Sequence, residues 1–270
     1  MTDAIPALFT DALKLAHASW RPVLRAGLAA VAQASPAYLP DLAADTFLPT
    51  EGRIFAAFSQ PLESVRYVLV GEGPYPRPES ATGYCFMDGA VNALWSEKGL
   101  SKQVNRATSL RNFMKMLLLV DGHLTRGQTS GAAMEPIAAQ ANKADSPWIQ
   151  TRAELQDKLL AQGFLLLNAA LVFRPHVPPL KEARAWQPLL QAVLAALAES
   201  AQARGVDLPE LVLWGKAAEL LSALPANALF PRVVSEHPYN LSFIDHPGMQ
   251  QLFGPMHLLQ RADAVSAHVK

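Results

Sequence analysis

Apolar residues recur at helical spacing through the first part of the chain. Leu8, Leu13 and Leu15 are followed by Trp20, Val23, Leu24, Leu28 and Val31, and Pro36 and Pro40 end the run. This spacing predicts amphipathic helices, each burying one face. The pattern then changes. Ile54 to Phe58 reads as a short helix stopped before Pro61, and RYVLV (Arg66 to Val70) as a short buried strand running into the breaker cluster Gly71 to Pro78. The alternation continues with helices at Ser109 to Val120 and Arg152 to Gln162, then the strand FLLL (Phe164 to Leu167) ending at Asn168. A long Ala/Leu-rich helix around Arg184 to Ala203 precedes the strand LVLW (Leu211 to Trp214). A short helix, Lys216 to Ser222, precedes RVVS (Arg232 to Ser235).

Four short apolar strands joined through helices predict an α/β fold, a central four-stranded parallel sheet flanked by helices on both faces. No Ser/Gly linker, repeat or charge block divides the chain, so a single domain over residues 1–270 is expected. Ligands of such sheets sit beyond the carboxyl ends of the strands. That directs attention to Gly71–Pro78, Asn168–Pro175, Gly215–Lys216 and Glu236–Asp245.

Composition narrows the function classes. Half of the residues are hydrophobic and 17% charged, as in a packed globular protein. The 23 Lys+Arg balance 23 Asp+Glu, so a polyanion partner would have to be held by a local patch, and no Arg/Lys cluster flanks the Gly71–Pro76 or Glu236–Ser242 segments in the sequence. The single cysteine, Cys85, excludes an intrachain disulfide framework and a multi-cysteine zinc site. No apolar run reaches the roughly 20 residues of a membrane span, and Asp3, Asp11 and Lys14 interrupt any signal-peptide core. The expectation is a cytoplasmic protein, monomeric, with no cofactor and no metal.

The strand ends carry Glu72, Tyr75, Asn168, Glu236, His237 and Leu241, a polar, aromatic and imidazole mixture unusual for plain turns. The amide of Asn168, one acceptor and two donors, suits the donor and acceptor edge of a flat heterocycle, and equally suits a turn cap. His237 before Pro238 reads as a structural histidine or as an acid/base group.

In this order the segments resemble the classical uracil-DNA glycosylase family. VLVGEGPYP (Val68 to Pro76) resembles that family's strand and GQDPYH water-activating loop, and GYCF (Gly83 to Phe86) its GLCF segment. TSLRNFMKML (Thr108 to Leu117) resembles PSLxNIYKEL, and GFLLLNAALVFR (Gly163 to Arg174) resembles GVLLLNxVLTVR. LVLWGKAAE (Leu211 to Glu219) is similar to LLWGxxA, and EHPYNLS (Glu236 to Ser242) to HPSPLS. The resemblance runs from about Trp20 to the last helix, with an extra stretch around Asp121 to Ser146.

The resemblance implies a three-layer fold and a DNA-repair enzyme that hydrolyses the N-glycosidic bond of a flipped-out uracil, with DNA as partner. It implies that Phe86 stacks on the extruded base and that Asn168 bonds its Watson–Crick edge. Tyr75 would crowd the pyrimidine C5 position and reject a methyl there. His237 would donate a hydrogen bond to the base oxygen as charge develops. Leu241 would wedge into the vacated stack, and Ser109 and Ser242 would contact phosphates, with Lys216 and Arg174 adding charge.

Gly73 stands where the family has its catalytic Asp, Glu72 where it has Gln and Pro76 where it has His; Tyr239 and Asn240 replace Ser and Pro of the last loop. A missing catalytic base costs roughly 10²- to 10⁴-fold, which predicts a slowed catalyst. Glu72 is the first candidate substitute, with Asp88, Glu236 and Asp245 behind it. The other reading is a catalytically silent relative that binds damaged or single-stranded DNA or a protein partner, and a third is a pocket for a free nucleobase or nucleotide.

Overall fold

The computed structural model describes residues 5–222 and 224–261. In chain order it forms helices α1 (Ala7–Ala12), α2 (Arg21–Ala34) and α3 (Tyr38–Ala43), then strand β1 (Tyr67–Gly71). Short strands β2 (Trp95–Ser96) and β3 (Gly99–Leu100) follow, with helices α4 (Lys102–Arg106), α5 (Thr108–Val120), α6 (Gly131–Ala141) and α7 (Arg152–Ala161). The rest is β4 (Phe164–Asn168), α8 (Pro179–Arg204), β5 (Glu210–Trp214), α9 (Ala217–Ser222), β6 (Arg232–Ser235) and α10 (Pro247–Phe253).

The four apolar runs do form one sheet, in the order β4-β1-β5-β6, with β1 parallel to both neighbours. In the register Gly71 lies opposite Asn168, so both strands end at one level. All five residues of β4 are buried, as expected of a strand covered on both faces. This is the α/β architecture expected from the pattern.

By internal contacts the chain divides into two compact units. The first comprises the residues up to Gly89 together with Gly163–Val233. Here α2 packs on α8, and Gly27 permits the close approach: a Cβ there would lie 2.8 Å from Leu189 Cγ. The α8 helix is longer than its periodicity predicts. Pro179 sits in its first turn, where a missing N–H costs nothing, and Gly205 ends it at φ 64°. Trp186, Leu189, Val193 and Leu197 face the core with Leu24, Leu28 and Val31.

The second unit comprises Ala90–Gln162 and the residues from Val234 onward. The added stretch at Asp121–Ser146 contains α6, which packs on the β2-β3 hairpin. Helix α5 packs against α10, where Phe113 and Phe253 meet edge to face at 5.0 Å, and against the turn Leu241–Asp245. Among the described residues no helix is long and apolar enough to cross a membrane.

Candidate active site

In the first unit, the carboxyl ends of β1 and β4 place Gly71 beside Asn168. A Cβ on Gly71 would come within 2.8 Å of the Asn168 Oδ1 and 2.9 Å of the Cys85 Cβ, so glycine is required for the amide to lie where it does. Asn168 is 3% exposed. Neither polar atom of its amide is among the fully buried, unpartnered ones, so the amide opens to solvent at the strand end, where it can meet a ligand that offers a donor and an acceptor.

Cys85 carries the chain across the sheet end. Its N–H donates to Leu166 O at 3.0 Å, and its buried thiol donates to Leu69 O at 3.2 Å. Burial pushes that thiol far above the usual thiol range, which makes it a packing group rather than a nucleophile. The next residue, Phe86, has φ 65°, and Met87 N–H donates to Cys85 O at 2.8 Å, closing a three-residue turn around it. A phenylalanine in the left-handed region is a strained placement of the kind that clusters at binding sites. The Phe86 ring is half-buried and meets Trp214, at the end of β5, edge to face at 5.0 Å. Trp214 is thus a ring support that the motif reading passed over, although its place at a strand end could have marked it.

Tyr75 is half-buried, with its hydroxyl 3.4 Å from the Phe86 carbonyl oxygen as donor. Burial, then Asp88 and Cys85, holds the phenol protonated well above its ordinary range. The loop between β1 and Tyr75 is exposed at Glu72 and Gly73. Together with Pro74, Ala170 and Arg174 these residues line a cleft of about 180 Å³. At Gly73 a Cβ would meet Ala170 Cβ at 3.5 Å and Ala170 O at 3.7 Å, ordinary contact distances, so the position is open to a side chain and has none.

Two expectations about charge resolve differently. Lys216 is exposed after β5. Arg174, expected in a groove, is 8% exposed and paired with Glu182 and Asp45, while Tyr38 donates to Glu182 at 2.9 Å. It is a structural ion pair and adds no charge to a surface. Asp88 is buried and lies 3.7 Å from Arg77.

The second unit holds the remaining residues. His237 is exposed, and its Nδ1 accepts the Tyr239 N–H at 3.1 Å, so a neutral ring carries its proton on Nε2. Leu241 is 67% exposed at the loop tip. Ser242 bonds Glu236, and that hydrogen bond, working against burial, holds the Glu236 carboxyl below its usual range. Ser109 is the second residue of α5 and does not cap it; Ala107 stands at the N-cap, and no side chain caps the helix. Asp245 pairs with Arg126 at 2.8 Å. The loop itself hangs on Asn112, which lies within the TSLRNFMKML segment but has no role legible from sequence. It is fully buried on α5 and donates from Nδ2 to Pro238 O at 2.8 Å and Tyr239 O at 3.2 Å.

No family model matches the chain. Sequence comparison finds uracil-DNA glycosylase 1 of Streptomyces avermitilis, 28% identical over 231 residues, covering 85% of this chain and 83% of that protein. The uracil-DNA glycosylase of Thermobifida fusca is 31% identical over 198 residues, covering 73% of this chain and 68% of that one. Among solved structures, the wild-type UNG of Nitratifractor salsuginis superposes with a TM-score of 0.82 at 37% identity, over 93% of this chain and 96% of that one. Identity above 30% over two thirds or more of both chains, with a TM-score of 0.82 to the solved structure, makes this chain a member of the uracil-DNA glycosylase family.

Proposed function

We propose that this protein is a DNA-repair glycosylase that releases uracil, or a related damaged pyrimidine, from DNA with water as nucleophile. One observation carries the reading: the amide of Asn168, a residue 3% exposed, opens at the end of β4 beside a glycine that leaves it room. An amide with its oxygen towards N3 accepts from the N3–H of uracil and donates to an adjacent carbonyl oxygen, and in that orientation it rejects cytosine, which has no proton at N3.

On this reading the base leaves the duplex and enters a pocket, stacking on Phe86 while Tyr75 crowds C5. The bond between C1′ and the base nitrogen breaks, and its electron pair goes to the base. The Nε2–H of His237 then stabilises the oxygen on which that charge collects. Water adds to C1′ and loses a proton. Leu241 opposes return of the base, and Ser109, Ser242 and Lys216 contact the phosphate backbone. Because Gly73 offers no carboxylate to the water or to the cationic sugar, leaving-group stabilisation carries the larger part of the acceleration. Glu72, exposed on the same cleft, is the carboxylate that would accept the proton of the water.

Treating uracil-containing single-stranded DNA with the protein and then with alkali tests this. Strand breaks are expected at uracil, with losses of at least 10²-fold in Asn168→Ala and His237→Ala. No breaks, or breaks equal in all three proteins, would defeat the proposal.

Gly73 also favours a second reading, a silent relative that holds single-stranded or damaged DNA. Such a protein would bind the same oligonucleotide, with affinity falling steeply as salt rises, and would leave the uracil in place.

A further inference from the structure

The second unit exposes an aromatic side chain that neither the family motif nor the mechanism above uses. Tyr239 is 67% exposed, as is Leu241 two residues on. The Tyr239 backbone is engaged, donating to His237 Nδ1 and accepting from Asn112, so the main chain is fixed while the ring stands in water. Holding a large ring in solvent on a fixed loop makes sense if something flat covers it.

Asn112, which holds this loop, also meets Arg111. Arg111 Nε lies 3.5 Å from Asn112 Oδ1, the amide whose nitrogen holds the loop carbonyls, and Arg111 Nη1 donates to Asn105 O at 3.1 Å. Lys115 is one turn further along the same face of α5. Like charges at this spacing repel one another on a helix. Among the described residues neither Arg111 nor Lys115 pairs with a carboxylate. Burial and the field of Arg111 lower the Lys115 pKa, which agrees with two cations close together and lacking a counter-charge. The basic cluster missing from the sequence around Glu236–Ser242 is thus supplied by α5.

We infer that Tyr239 stacks on an unpaired base of the bound strand while Arg111 and Lys115 grip its phosphates, giving this enzyme a single-strand DNA clamp on the Tyr239–Leu241 loop. A flat π-face beside unpaired cations is the combination that single-stranded nucleic acid selects, because each nucleotide presents both a base face and a phosphate. This rests on the glycosylase reading for the identity of the polymer, and goes beyond it in naming the strand state and the residues.

Fluorescence anisotropy on an unmodified single-stranded oligonucleotide, run beside uracil release from its uracil-containing counterpart, tests the clamp. Tyr239→Ala is expected to raise Kd about tenfold, within the roughly 5- to 100-fold worth of one stacked base, and Tyr239→Phe to stay within about twofold of the parent. The loss should appear in Kd and KM, with the single-turnover rate at saturating DNA little changed. Lys115→Gln and Arg111→Gln should each reduce the salt slope of log K by about 0.7, and Arg111→Lys should restore it. If the parent binds and releases uracil but Tyr239→Ala binds as tightly, the clamp is overturned and the glycosylase reading stands; that result would assign the patch to another occupant, such as an acidic protein segment. A parent that neither binds single strands nor releases uracil would overturn both.

Discussion

The main-chain N–H of Tyr239 donates to Nδ1 of His237 at 3.1 Å, and this contact decides which ring nitrogen can act on a substrate. A neutral histidine whose Nδ1 accepts must carry its proton on Nε2. Long-range proton–nitrogen NMR spectra of the neutral protein should therefore show His237 as the Nε2–H tautomer. A ring protonated at Nδ1 instead would remove the proposed donor. Because the contact is main-chain, Tyr239→Ala should leave the tautomer unchanged.

Asn112 should prove as important to the loop as any residue in it. Its buried Nδ2 serves the carbonyls of Pro238 and Tyr239, and Asn112→Ala leaves those acceptors without it. The expected cost is about 1–3 kcal/mol in chemical denaturation, with a fall in uracil release larger than the fall in stability, since His237 rides on the same loop. A variant as stable and active as the parent would show that the loop is held by other means.

Gly71→Ala tests the close approach at the strand ends. The added methyl would sit 2.8 Å from Asn168 Oδ1 and 2.9 Å from Cys85 Cβ, so one of them must move. Overpacking of this kind costs about 1–3 kcal/mol. Displacement of the amide should also raise KM for uracil-containing DNA, read in steady-state kinetics against an unchanged KM if only Cys85 yields.

The Glu236–Ser242 hydrogen bond has a pH signature. It holds the folded carboxyl below the unfolded value of 4.5, so its contribution to stability is complete above that value and is lost as pH falls through the lower folded pKa. Ser242→Ala should move the Glu236 midpoint upward in a carboxyl carbon NMR titration and lessen acid sensitivity between those two values. An unmoved midpoint would mean that other groups hold the carboxylate.

Most of the sheet was legible because strands buried on both faces are continuous apolar runs, as in Phe164–Asn168; Arg232–Ser235, exposed over most of its length, was legible only from its paired valines. Helix α6 was not legible, since Gly131 and Pro136 both argue against a helix and only packing on the short β2-β3 hairpin overrides them. Motif order singles out Asn168, Phe86 and Tyr75 as candidates, but nothing local signals that Gly71 must be bare or that Phe86 takes a left-handed backbone. Arg174 reads as a surface charge because one of its partners, Asp45, lies 129 positions away. The Arg111–Lys115 pair escapes notice for the same reason: it meets the His237 loop across 126 positions, through Asn112.

The central claim is that base recognition and leaving-group stabilisation suffice for uracil release when Gly73 provides no carboxylate. Single-turnover release of uracil from single-stranded DNA by the parent and by Gly73→Asp measures it. A Cβ at Gly73 meets Ala170 at 3.5 Å or more, so the first atom of an aspartate side chain adds no clash there. The account predicts release by the parent and a gain of roughly 10²- to 10⁴-fold in Gly73→Asp. No release by either protein would contradict it.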